Sequence, residues 1–142
     1  RAWSISGTPA DCVRLGLYEL IDEPVDVVIS GINNGHNAGM AVHYSGTVAA
    51  AREGMLNNIP SIATSISYNG PKSMLLYLAD LAVRAAEDYV NAEGAAKAVL
   101  SINAPNVEPE AMLPPVVAPL STASSPFLKP LTNASSGSEN SR

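Results

Sequence analysis

The chain has 142 residues, 46% of them hydrophobic, a formal charge of −5 and a single cysteine. That length suits one domain at most, with enough apolar residues between Arg1 and Pro105 to build a core. The negative charge argues against a nucleic-acid polymer as partner, Cys12 alone excludes an intrachain disulfide or a cysteine-based metal cluster, and no apolar run reaches membrane-spanning length.

Taken in chain order, Thr8-Pro9-Ala10-Asp11 is a helix start. Thr8 is the N-cap, Pro9 occupies the first helical position, and Asp11 faces the positive end of the dipole. Val13, Leu17, Leu20 and Ile21 continue at helical spacing until Pro24 ends the segment. Cys12 falls on the apolar side of this helix and reads as a buried structural residue. Val25 to Ser30 is apolar at nearly every position, as a strand of a parallel sheet requires. Thr47 to Leu56 is a helix of small residues, Ser61 to Ile66 a second strand, and Ser73 to Val90 a long amphipathic helix. Gly94 lies just past that helix, Ala98 to Ile102 is a third strand, and Pro105 closes it. This alternation predicts an α/β fold with a parallel sheet. Beyond Pro105 the chain is rich in proline and then serine, so 1–105 reads as the folded domain and 106–142 as an extended or disordered tail. Val116-Val117 and Leu120 are candidates for a short edge strand.

The segment Ser30-Gly31-Ile32-Asn33-Asn34-Gly35-His36-Asn37-Ala38-Gly39, followed by Tyr44-Ser45-Gly46-Thr47-Val48, carries the chemistry. It reads as a glycine-rich loop leaving the C-terminal end of a strand and feeding a helix start, the place where open α/β sheets bind ligands. The helix start offers free N–H groups to a phosphate, and asparagines offer neutral oxygens to a hard cation. On chemistry alone Asn33 is first a turn residue tolerating positive φ and second a metal ligand. Asn37 is equally an Asx-turn or a residue that orients the loop or contacts phosphate. Ser45 serves as N-cap while Ser45, Gly46 and Thr47 could cradle phosphate. His36 and His43 read as hydrogen-bonded or solvated bystanders, and Tyr44 as a packing or pocket residue.

Three blocks, Gly7-Thr8-Pro9-Ala10-Asp11-Cys12-Val13, Ser30 through Asn37, and Tyr44 through Gly54, with a weaker fourth at Ile59-Pro60-Ser61-Ile62-Ala63, resemble the survival protein SurE family in order and spacing. The resemblance covers roughly Ser4 to Pro105. It implies a three-layer, mostly parallel α/β fold with helices on both faces, here a partial domain. It also implies a metal-dependent hydrolase, a 5′-nucleotidase acting on nucleoside 5′- and 3′-monophosphates with Mg²⁺ or Mn²⁺. Asn33 matches the family's asparagine metal ligand and puts that reading ahead of the turn. Asn37, Ser45, Gly46 and Thr47 would face the phosphate.

In proteins similar to this one, an Asp-Asp-Gly motif and a serine complete the metal site. Those residues match nothing between Arg1 and Arg142. The part of the family domain that carries them is therefore expected to be absent, and the chain alone inactive. The family also implies a homodimer or tetramer and a cytoplasmic location, which one cysteine fits. The competing reading is a non-catalytic α/β module that binds an anion or a partner without turnover.

Overall fold

The computed structural model describes residues 1–118 and Leu120. Three strands, β1 (Val28–Asn34), β2 (Ser61–Ile66) and β3 (Val99–Ala104), form one sheet in the order β1-β2-β3 with both pairings parallel. Three helices accompany them: α1 (Pro9–Leu15), α2 (Gly46–Leu56) and α3 (Lys72–Tyr89). β2 is buried at every position, because it is the central strand and both its faces are covered. On one face Val48 and Ala51 of α2 pack against Ala63, with Val42 and Val99 beside them. On the other, Met74 and Leu78 of α3 pack against Ile66 and Ala104. The expected three-layer α/β arrangement is present.

α2 reaches the sheet closely because its inner face is almost bare. Ala50, Ala51 and Gly54 are buried, and a Cβ on Gly54 would press against Val28 and the Ser61 hydroxyl. α1 opens as expected. The Thr8 hydroxyl oxygen accepts from the Asp11 N–H at 3.2 Å while the Asp11 carboxylate accepts from the Thr8 N–H at 2.8 Å, a reciprocal capping box. The same carboxylate accepts from the Thr8 hydroxyl, and this bonding holds its pKa below the ordinary value of 3.8.

Several boundaries differ from the sequence reading. β1 begins at Val28 rather than Val25, because its partner sets where pairing can start. β2 opens at Ser61, and the Val28 N–H bonds to the Pro60 carbonyl just before it at 2.9 Å. β1 also runs on through Gly31 to Asn34, so the first half of the supposed loop is strand. The register slips between Ser30 and Asn33, where Gly31 takes φ +127° and lies against Thr64. α1 stops at Leu15 and loosens into a π-helical turn at Gly16–Leu20, closed by the Ile21 N–H to the Gly16 carbonyl at 3.1 Å.

Cys12 is exposed, not buried, since no residue of α1 is buried. α1 packs on α2 beyond the β1 edge, where among the described residues no strand lies beneath it. An apolar groove of 340 Å³ remains there, lined by Trp3, Cys12, Val13, Leu17, Val25 and Val27 among others. Packing carries on past Pro105: Val107 and Met112 lie against the α3-side core, and the Ser73 hydroxyl donates to Glu108 at 2.6 Å. Val116 and Val117 form no strand; Pro114 and Pro115 remove two N–H donors, and both valines stand in solvent. Leu120 belongs to no strand either, and the remainder of the expected tail, Pro119 and 121–142, lies outside the described residues.

Candidate functional site

A parallel sheet presents the C-terminal ends of all its strands at one edge, and here that edge is polar. Asn33 of β1 pairs in register with Ser65 of β2, and Ser65 with Asn103 of β3. Ser65 follows Ala63 by two residues, so it shares the face covered by α2. The chain leaves β1 at Asn34, and Gly35 still bonds across to the Ile66 carbonyl at 2.7 Å. Gly35 has φ +137°, and the Tyr68 ring lies where a side chain would otherwise go.

Asn33 is strand rather than turn, and its φ is not positive. Its side chain folds forward, Nδ2 donating to the Gly35 carbonyl at 2.7 Å. A carbonyl only accepts, so the amide orientation is fixed: Nδ2 faces Gly35 and Oδ1 faces away. Oδ1 takes no hydrogen bond from the described residues, which leaves its lone pairs for a ligand.

Asn37 is only 6% exposed and is not an Asx-turn. Its Nδ2 reaches the Ser65 hydroxyl at 2.7 Å, and its backbone N–H donates to Asn103 Oδ1 at 2.8 Å. Asn103 Nδ2 returns the bond to the Asn37 carbonyl at 3.3 Å and also reaches the Ser101 hydroxyl at 3.2 Å. His36 is tied down beside it, with Nε2 2.6 Å from the Ser67 hydroxyl and 3.1 Å from the Ala104 carbonyl. Ser65, Asn103 and Ser67 were not expected from sequence. The signal that could have found them is position: each is the penultimate residue of a strand of a parallel sheet or directly follows one.

Ser45 caps α2, its hydroxyl accepting from the Val48 N–H at 3.1 Å. This start of α2 lies on the Ala63 face, the face that also carries Ser65 and Asn37. Gly46 is exposed and Thr47 half-buried. No hydrogen bond among the described residues joins Ser45, Gly46 or Thr47 to Asn33 or Asn37. None of these five lines the apolar groove beside α1. Tyr44 and His43 are exposed, Tyr44 at 79%.

The cluster is made of neutral donors and acceptors. A Mg²⁺ or Mn²⁺ ion needs several oxygen ligands, carboxylates among them. Asn33 offers one amide oxygen, and among the described residues no group of three or more His, Cys, Asp or Glu could hold a metal. These side chains do not form a divalent-metal site by themselves. What they can do is fix one free amide oxygen at the C-terminal edge of the sheet.

Comparison with known proteins agrees with this architecture. The family model described as "Survival protein SurE" matches residues 1–125. A 5'-nucleotidase SurE from Prochlorococcus marinus is 47% identical over 113 residues, 79% of this chain and 42% of its own length. One from Desulfatibacillum aliphaticivorans is 58% identical over 66 residues, 46% of this chain and 26% of its own. The crystal structure of the SurE protein from Aquifex aeolicus superposes with a TM-score of 0.64 at 39% identity, covering 73% of this chain and 42% of that one. The chain thus spans less than half the length of these relatives.

Proposed function

Because the chain belongs to the survival protein SurE family, we propose that it carries the neutral side of a metal-dependent phosphomonoesterase centre for nucleoside monophosphates. The observation behind this reading is Asn33, whose Nδ2 is committed to the Gly35 carbonyl and whose Oδ1 is left free at the C-terminal edge of the sheet. Asn33 would be the neutral ligand of the ion. Asn37 would hold the loop that presents it, and the α2 start at Ser45, Gly46 and Thr47 would receive the phosphate oxygens through backbone N–H groups. The relatives are named as 5'-nucleotidases, which supplies the substrate class.

The acidic ligands such a centre needs are absent from this cluster. Residues 1–142 alone should therefore turn nothing over. The test is reconstitution: the chain is assayed for AMP hydrolysis with Mn²⁺, alone and with a family segment bearing the Asp-Asp-Gly motif. Expected is no turnover alone, and turnover with the segment that falls at least about tenfold in Asn33→Ala. Reconstituted activity indifferent to Asn33→Ala overturns the assignment.

The lack of carboxylates also favours a second reading, an anion-binding module without turnover. Phosphate binding that persists with the segment present, yet yields no hydrolysis, would select it.

A further inference from the structure

We propose that Asn103 is a positioning residue, holding the Gly35–Asn37 loop against β3 by pairing its side-chain amide with the Asn37 backbone. The pairing is two-sided. The Asn37 N–H donates to Oδ1 at 2.8 Å, and Nδ2 donates to the Asn37 carbonyl at 3.3 Å. An N–H can only donate and a carbonyl can only accept, so each bond independently fixes which way the amide points. The side chain thus does for one residue of the loop what a neighbouring strand does for a residue of a sheet.

The loop has one further anchor at the same residue. Asn37 Nδ2 binds the Ser65 hydroxyl of the central strand, so backbone and side chain of Asn37 are held by different strands, β3 and β2. Ser101 buttresses the Asn103 amide from two residues before it. Asn103 itself is exposed on an outer strand of the sheet and belongs to neither core cluster, so replacing it leaves the packed layers intact. Its importance for ligand binding rests on the functional reading above, since the loop it fixes follows directly from Asn33.

Hydrogen exchange tests the clamp on the atom involved, because the exchanging proton of Asn37 is the one that Asn103 holds. The full chain is followed by mass spectrometry, comparing the peptide over residues 35–40 with that over 61–66. In Asn103→Ala the loop peptide should exchange about tenfold faster, the scale of one lost side-chain hydrogen bond, with the β2 peptide unchanged. Asn103→Asp keeps an acceptor for the N–H but turns an oxygen towards the Asn37 carbonyl, so it should fall between. Ser101→Ala, which removes the buttress but keeps both bonds to Asn37, should speed loop exchange far less than Asn103→Ala.

Unchanged loop exchange in both Asn103 variants overturns the proposal. So does equal acceleration of loop and β2, which marks a merely structural residue. Should Asn103→Ala fail to fold, the intermediate protection of Asn103→Asp carries the same test. Inorganic phosphate provides the second readout. It should slow loop exchange in wild type and lose that effect in Asn103→Ala. A loop freed by Asn103→Ala but untouched by phosphate in wild type supports the clamp and counts against the phosphate-binding reading instead.

Discussion

Gly31 of β1 lies directly against Thr64 of β2: a Cβ at Gly31 would overlap both the Thr64 hydroxyl and its carbonyl oxygen. The Thr64 hydroxyl also donates to the Ser30 carbonyl at 3.1 Å, so the two strands are stitched at the residue before the register slips. Gly31→Ala must therefore find room beside immovable backbone and adopt φ +127° as well. It should cost at least about 1–3 kcal/mol from conformational strain alone. Gly94→Ala is the control. Gly94 also has positive φ, +80°, but nothing lies within 4 Å of its would-be Cβ. Thermal denaturation should rank Gly31→Ala well below Gly94→Ala; equal midpoints would show that the close approach does not constrain the sheet.

Gly54→Ala probes the other contact that depends on a missing side chain. The new methyl would enter the space between α2, Val28 and Ser61. Overpacking of this kind typically costs about 1–3 kcal/mol. Replacing Ala49, which is only half-buried on the same helix, by serine should change the midpoint far less. Chemical denaturation of the two variants side by side checks it.

Acid should release α1 first. The Asp11 carboxyl is held below 3.8 in the folded chain by the Thr8 hydroxyl, then by the Thr8 N–H. Its folded pKa is the depressed one, so its contribution to stability is complete above 3.8 and is lost as pH falls through the folded value. Helical signal from residues 9–15 should decline below pH 3.8. Thr8→Ala should remove that acid step while leaving α2 and α3 helical. A wild-type titration indistinguishable from Thr8→Ala would show that the capping box has no energetic role.

The outer edge of β1 has no partner strand among the described residues, and the residues around it, Val25, Val27 and Ile29, are apolar. Unpaired edges of this composition template association with other chains. The purified chain should self-associate with rising concentration, and Ile29→Lys, at a position 42% exposed, should shift sedimentation towards the monomer. A monodisperse monomer at every concentration tested would sink this expectation.

What could be read beforehand was whatever depends on neighbours in sequence. The Thr8 cap, the Ser45 cap and the limits of β2 need only local pattern, and Ser61–Ile66 is recovered to the residue. What escaped depends on partners far along the chain. β1 starts at Val28 because Ser61 starts β2, and it passes through Gly31 because Thr64 accepts it there. Cys12 looked inward by periodicity, yet α1 lies outside the sheet edge, and among the described residues no strand covers its apolar side. At the candidate site Asn33 and Asn37 stood out through the glycines around them. Asn103 and Ser65 did not, because each is one of several polar residues in its strand, and no glycine or turn pattern beside it sets it apart.

The 66-residue separation between Asn37 and Asn103 also orders events in time. Closing so long a loop is an entropic cost met only once the intervening strand and helices have condensed. β1 and β2 can zip together with Gly35 bonded to Ile66 and the Asn37 side chain to Ser65, and the Asn37 backbone is fixed only when β3 docks. During synthesis the loop would accordingly wait for β3 to leave the ribosome, long after residues 30–39 have emerged.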